Sequence, residues 1–372
     1  MWIDRLTIEN YRGISKMELE AKPINVFVGR NNTGKSSVLE AITLAATSPT
    51  GYGDALGQNL LGPILQKSMD GLYIIRIGNE KGVIRIDTKG SKYFQVEFHY
   101  LETGLPKEYL ETCEDLIDRI AEEMAERDFR YRRSRRFDYE RLLQEEIDKT
   151  TRTIINYPKL VIVAISGEIS KSSTKSLIIL SKTFGPIRED RVLPSSLFFV
   201  GTGYKPRTID LYNRALQLGM LSPLLQTLRK EIQYFEDLRT ISDVLYVSMT
   251  GLERPLPIAM IGDGFEALLK TAMVSTVARG GTLVLEEPET NLHPGFMEIT
   301  TSYLVKNASE SETQMFISTH SMEFLESLLE KGPELTQVVR MYLIKGEIDY
   351  EVLSGDEALH ERKELLMDLR GA

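Results

Sequence analysis

The chain has 372 residues and carries 45 lysines and arginines against 54 aspartates and glutamates, a formal net charge of −9. Hydrophobic residues make up 42% and charged residues 27%, which excludes a disordered or low-complexity chain; the length points to two domains, or to one large domain with an insertion. The single cysteine, Cys113, excludes an intrachain disulfide and a cysteine-built zinc site and makes a reducing cytoplasm the expected compartment.

The first residues, MWIDRLTIENYR, carry Asp4 and Glu9 and no apolar core, so no secretory signal is expected. No apolar run approaches the ~20 residues that span a bilayer, so no membrane partner is expected either. Ile3, Leu6 and Ile8 alternate with polar neighbours and predict an N-terminal strand. The continuous run 24–28 predicts a buried strand ending at Gly29. Helical spacing of Val38, Leu39, Ile42 and Ala46 predicts a helix over 36–46, broken by Pro49, Gly51, Gly53 and Gly57. Three short β-like runs between 72 and 100 predict an antiparallel meander.

From 105 to 153 the pattern turns helical and charged. Within it, 127–136 holds six arginines and one acid, net +5, flanked by Glu122, Glu123 and Glu126 before and Glu145, Glu146 and Asp148 after. This reads as an insertion projecting from the main body. Runs at 160–165, 176–181 and 197–200 predict strands, the last closed by Gly201, Thr202 and Gly203. Segments 211–218 and 224–238 predict helices. The last third alternates: helix 264–278, strand 282–285, helix 294–307, strand 314–318, helix 323–330. Alternation of this kind predicts an α/β fold with a parallel sheet. The expected division is 1–104 as an N-terminal lobe, 105–195 as a mainly helical insertion with flanking strands, and 196–372 as a C-terminal lobe.

Gly29 to Ser36 match G-x-x-x-x-G-K-[ST] in full, between a predicted buried strand and a predicted helix. In that setting loop amides and a helix N-terminus point donors at an anion, and Gly29 and Gly34 let the backbone approach phosphate closely. Lys35 would neutralise the β- and γ-phosphates, and the Ser36 hydroxyl would bind Mg²⁺. The apolar strand at 282–285 runs straight into Glu286, Glu287, Pro288 and Glu289. Adjacent carboxylates there suit a nucleotide triphosphatase, with Glu286 on the metal and Glu287 as the base that activates water. The next strand ends at His320, one of 4 histidines, placed to bond the γ-phosphate or the attacking water. Gly262, Asp263 and Gly264 open a further helix, which suits either a second phosphate contact or a plain cap by Asp263.

In this order the motifs resemble those of the ABC-type ATPase head: GRNNTGKSS as phosphate loop, IGDGF as signature turn, TLVLEEPETNLHP as acidic strand and D-loop, FISTHS as switch histidine. The resemblance covers about 1–100 and 196–372. The start LTIENYRGI and the end MDLRG resemble the RecF/structural-maintenance-of-chromosomes-like branch, and more narrowly the stand-alone AAA-family ATPases related to the OLD nuclease ATPase domain. The resemblance implies a P-loop NTPase fold with a mixed, largely parallel central sheet, an N-terminal antiparallel β subdomain and a helical insertion. It implies ATP and Mg²⁺ as ligands, with two heads enclosing two ATP molecules in a homodimer. Gly29, Asn31, Asn32, Thr33, Gly34, Lys35, Ser36 and Ser37 would bind ATP in cis, with Arg12 nearby. Gly262, Asp263 and Gly264 would reach the γ-phosphate of the other chain's nucleotide, and Thr290, Asn291, Leu292 and His293 would lie at the dimer interface.

Three positions depart from the pattern. Gly262 stands at the signature serine, Glu286 where aspartate is commoner, and the Q-loop glutamine could be Gln58, Gln66 or Gln95. The OLD nucleases append a Toprim domain with clustered acids; no D-x-D occurs in the last third here, so this chain by itself is expected not to be a nuclease. Expected functions are then an ATP-gated dimer acting on DNA or on a separately encoded nuclease or toxin, in DNA repair or antiphage defence, or an interaction module of a toxin–antitoxin or defence complex in which ATP gates partner binding. Arg130, Arg132, Arg133, Arg135 and Arg136, interleaved with Tyr131, Phe137 and Tyr139, suit nucleic-acid contact, although a solvated helix laced with i,i+4 ion pairs accounts for the same residues.

Overall fold

A computed structural model describes residues 1–67, 73–90, 92–101, 117–118, 121–122, 124–126, 137–156, 160–169, 172–181, 185–188, 194–201 and 204–371. Cys113 and the arginine block 127–136, with Arg130, Arg132, Arg133, Arg135 and Arg136, lie outside the described residues, as do Thr202 and Gly203.

A central six-stranded sheet carries strands β3 (Ile24–Gly29), β9 (Leu197–Val200), β13 (Thr282–Glu286), β14 (Gln314–Ser318), β15 (Thr336–Ile344) and β16 (Glu347–Ser354). Their order is β16-β15-β3-β14-β13-β9. The five strands from β15 to β9 are parallel, and β16 closes the edge as an antiparallel hairpin partner of β15. Each inner strand is apolar on both faces, as a sheet covered on both sides requires. Val26, Leu283, Leu285, Ile317 and Val338 point to one core, and Phe27, Val284, Phe316 and Val339 to the other.

The second core holds helix α1 (Lys35–Thr47) between the central sheet and a seven-stranded antiparallel sheet. That sheet begins with β1 (Ile3–Tyr11), β2 (Ile14–Glu20), β4 (Lys81–Thr88) and β5 (Lys92–Leu101). It continues through β6 (Leu160–Ile169), β7 (Ser172–Ser181) and β8 (Gly185–Arg188), in the order β2-β1-β4-β5-β6-β7-β8. A short helix, α2 (Leu61–Gln66), and a long one, α3 (Phe137–Asn156), complete the first half. Residues 73–77, expected as a strand, form turns instead. Ile74 and Ile75 are buried there, and a single bridge joins Ile75 to Tyr11. Tertiary burial, not extended strand pairing, accounts for Ile74 and Ile75, while Tyr73 and Ile77 are exposed.

On the other face lie α4 (Thr208–Gln217), α5 (Leu221–Glu231), α6 (Asp263–Val277), α7 (Pro294–Glu310) and α8 (Met322–Lys331), followed by α9 (Gly355–Lys363). The helix expected over 224–238 stops at Glu231. Phe235–Ile241 is strand β10, paired with β11 (Val244–Met249), and β12 (Leu256–Pro257) completes this small sheet. The turn residues Ser242 and Asp243 both take positive φ, 49° and 60°, which suits the twist of a two-residue hairpin. Phe235 and Leu238 are buried by that pairing, so hairpin closure overrides a spacing that also fits a helix. Among the described residues no helix is long and apolar enough to cross a membrane.

One buried charge cluster ties α1 to the antiparallel sheet. Glu40 is only 1% exposed; it accepts a 2.7 Å bond from Lys67 and is ion-paired with Arg12, whose guanidinium also donates to the Ile64 carbonyl at 3.0 Å. Burial pushes the Glu40 carboxyl up from its ordinary value, and Arg12 and Lys67 pull it back. Removing one partner of a buried pair leaves the other uncompensated. Glu40→Ala is expected to lower stability by about 3 kcal/mol, at the low end for such pairs because both cations reach solvent. The urea midpoint of the full chain checks this.

Candidate nucleotide and metal site

The phosphate loop begins where β3 ends. Gly29 has φ +150°, and a Cβ there would sit 2.2 Å from the Met341 carbonyl oxygen and 2.8 Å from Thr33 Oγ1, so glycine is obligatory. Gly34, at φ +91°, precedes α1 without a side-chain cap, and no acid occupies the first turn of the helix. That leaves the helix start suited to an anion. Thr33 Oγ1 donates to the Arg30 carbonyl at 2.8 Å and braces the loop. Lys35 Nζ folds back over it, donating to the carbonyls of Gly29 at 2.9 Å and Arg30 at 2.8 Å. Burial lowers the Lys35 pKa, opposed by Glu287 and Glu286, so both carboxylates act electrostatically on the loop lysine. Asn31 and Asn32 are exposed, and Ser36 and Ser37 are half-buried on the first turn.

Parallel register brings the other motifs to the same edge. Glu286 pairs with Ser318 and Ser318 with Phe27, so β13, β14 and β3 all end together. Carboxyl ends of parallel strands are where α/β folds place their ligands. Glu287 turns off β13 at φ 49° with its amide donating to the Ser318 carbonyl at 2.9 Å, and its Oε1 lies 3.5 Å from His320 Nε2. The next strand over, β9, is followed directly by Gly201, whose added Cβ would be 2.7 Å from Glu286 Oε2. A side chain there would crowd the carboxylate.

Burial holds the His320 pKa below 6.5, helped by Lys35 and opposed by Glu287 and Glu289. The unfolded chain therefore binds this proton more readily than the native one. The contribution of His320 to stability is present above pH 6.5 and is lost as pH falls from 6.5 through the lower native value. An NMR titration of the His320 ring is expected to show a midpoint below 6.5; a higher midpoint would contradict this electrostatic picture.

Glu289 was legible only as part of the acidic run, without a role of its own. It is 9% exposed, and its Oε1 accepts from Thr319 Oγ1 at 2.7 Å, the His320 amide at 3.0 Å and the Ser321 amide at 3.3 Å. It thus clamps the histidine loop to the acidic turn. An acid buried after a strand was the available signal, but its partners lie 30 residues on.

Gly262 precedes α6, and Asp263 and Gly264 form its first turn. A Cβ on Gly264 would be 2.6 Å from the Asn291 carbonyl oxygen, so the glycine turn packs on the segment Thr290 to His293. Asp263, Glu286, Glu287 and Asn291 line one cleft of about 290 Å³, with Lys205 and Lys270. The structure thereby brings the turn at Gly262 to Gly264 beside Glu286 and Glu287 of the same chain. Arg12 sits on the β1–β2 turn, engaged with Glu40 as described. Of the glutamine candidates, Gln58 Oε1 lies 2.7 Å from the Tyr204 hydroxyl, and Gln95 donates to Glu97 at 2.6 Å on β5. Gln66 lies in α2, and its side chain is outside the described residues. Among the described residues no group of three or more His, Cys, Asp or Glu could cage a metal. Mg²⁺ in phosphoryl-transfer sites is commonly held by one or two protein groups plus substrate phosphates.

A parallel sheet with this loop, acidic pair and histidine at one edge has the fold of an ABC/AAA-type ATPase head. Residues 24–326 match the family described as "AAA domain, putative AbiEii toxin, Type IV TA system", and the chain belongs to that family. An ATP/GTP phosphatase of Helicobacter pylori is 19% identical over 371 residues, 94% of each chain. The DNA replication and repair protein RecF of Lactobacillus acidophilus is 40% identical over 47 residues, so the chain spans 12% of that relative's length. A crystal structure of the Smc head domain with an extended coiled coil, bound to the C-terminal domain of ScpA, from Pyrococcus furiosus, aligns with a TM-score of 0.52. It covers 98% of this chain and 100% of that one at 11% identity, a likeness of fold alone.

Proposed function

We propose that the chain binds and hydrolyses Mg-dependent ATP at the shared edge of β3, β13 and β14, as a homodimer that encloses two nucleotides. The observation that carries this reading is that parallel register ends β3, β13 and β14 together, with the phosphate loop, Glu287 and His320 at that one edge. Lys35 exchanges its two loop carbonyls for the β- and γ-phosphates, with Gly29, Asn31, Asn32, Thr33, Gly34 and Ser37 around them. Ser36 and Glu286 would hold Mg²⁺, which would neutralise charge on the phosphates. Glu287 accepts a proton from the water whose oxygen bonds to the γ-phosphorus as the bond to the β–γ bridging oxygen breaks and ADP leaves, and His320 orients that water. Gly262, Asp263 and Gly264 contact the nucleotide of the other chain. The division into 1–104, 105–195 and 196–372 belongs to the same reading.

Closure on ATP and release on hydrolysis would then switch DNA or a separately encoded effector in the cytoplasm. The family description favours a second reading, in which ATP gates partner binding in a toxin–antitoxin or defence complex. Phosphate release with and without Mg²⁺ and DNA, alongside light scattering with and without ATP, tests both. Mg-dependent turnover and a doubling of mass with ATP are expected. Absence of nucleotide binding and turnover would overturn the enzymatic reading, and mass unchanged by ATP would overturn the dimer.

A further inference from the structure

Residues 355–371 grip the histidine loop from outside the motif set. α9 is tied to α8, the helix that starts at Met322 directly after the loop, by ion pairs Arg362–Glu326 and Lys363–Glu330. Beyond α9 the chain returns to the sheet edge, where Leu369 is fully buried in the central core. Arg370 follows it, and its Nη1 donates to the His320 carbonyl at 3.2 Å.

The geometry of that guanidinium is set locally. Asp368 takes its other edge in a two-pronged pair, with Nε to Oδ1 at 2.9 Å and Nη2 to Oδ2 at 2.6 Å. The Arg370 amide also donates to Asp368 Oδ1 at 2.9 Å. A planar fork held on one side has its remaining donor aimed by the first pair. The Arg370 cation beside it holds the Asp368 carboxyl at about 2, so the pair is charged at neutral pH. The backbone of His320 is thus held on both sides: Glu289 Oε1 accepts from its N–H at 3.0 Å and Arg370 donates to its C=O.

We propose that Arg370, oriented by Asp368, is a positioning residue that fixes the His320 ring against Glu287. This rests on the ATPase reading above and extends it: the C-terminal strap sets the reactive geometry of the switch histidine, so loosening the strap slows turnover without weakening nucleotide binding. Among the described residues the Arg370 side chain hydrogen-bonds only to the His320 carbonyl and Asp368, and it is not a catalytic residue.

Two measurements on the full chain test this, using Arg370→Ala, Arg370→Lys and Asp368→Asn. Arg370→Ala is expected to lower kcat roughly tenfold with KM for ATP within about twofold of wild type, since a bond from a charged donor is lost but the phosphate loop is untouched. Arg370→Lys, which keeps a donor, is expected to stay within about threefold, and Asp368→Asn to fall between the two. In histidine-ring NMR the His320 signal is expected to move in Arg370→Ala while those of His99 and His293 stay in place. A His320 signal and kcat both at wild-type values in Arg370→Ala would overturn the proposal, as would a loss of activity with the His320 signal unmoved. Should Arg370→Ala fail to fold, the softer variants carry the same two readouts. If the wild type shows no ATP turnover, the ATPase reading fails, and the His320 signal alone decides whether the strap positions the ring.

Discussion

Glu287→Gln is expected to lower ATP turnover by about 10²–10⁴-fold while nucleotide binding persists. The amide of the variant has the same shape but cannot accept a proton from water. Its backbone is fixed independently of the side chain, by the 2.9 Å bond from the residue 287 amide to the Ser318 carbonyl and by the positive φ that turns the chain off β13. The substitution therefore removes the base without displacing Glu286 or the histidine loop. With hydrolysis blocked, the ATP-bound form accumulates, and light scattering in the presence of ATP is expected to report a stable dimer. Phosphate release at the wild-type rate would place the base elsewhere.

Lys35→Ala is expected to act on both binding and chemistry, with ATP affinity weakened and kcat/KM reduced by about 10²–10³-fold. Lys35 is 6% exposed, and burial already disfavours its charge, so without nucleotide the ammonium relies on the carbonyls of Gly29 and Arg30. Phosphate oxygens are stronger partners for it than neutral carbonyls. Alanine leaves an uncharged cradle facing two carboxylates, Glu286 and Glu287, with nothing to offset a polyphosphate. Fold stability is expected to change little, because the loop is braced by Thr33 and by its glycines rather than by the lysine. Equilibrium binding of a fluorescent ATP analogue and a thermal melt separate the two effects. An unchanged affinity would remove Lys35 from the phosphate site.

Much of this site is written in consecutive residues. The phosphate loop demands glycine where φ is positive or where a Cβ would strike the Met341 carbonyl, and that demand is visible as Gly29 and Gly34 in one short motif. The buried strands β3, β13 and β14 appear as apolar runs because both faces of the sheet are covered. Each run ends in polar residues where the sheet ends, so Glu286, Glu287 and His320 were legible as strand-terminal groups. The boundaries of β14 and β9 agree with the expectation to the residue.

Less legible were features whose partners lie far away in the chain. The spacing in 224–238 fits a helix until the Ser242–Asp243 turn pairs Phe235–Ile241 with its neighbour strand. Glu40 looks like an ordinary helix-surface acid, and only folding buries it between Arg12 and Lys67. Glu289 and Arg370 approach the His320 backbone from 31 and 50 positions away. The sequence by itself determined the local chemistry: which loop cradles an anion, which strands are buried, which carboxylates and histidine stand at strand ends. Those are matters of backbone dihedrals and burial period, set within a few residues. Only the tertiary structure decided which of these groups face one another, because parallel register and long-range ion pairs depend on how the whole sheet closes, and no spacing along the chain encodes that distance.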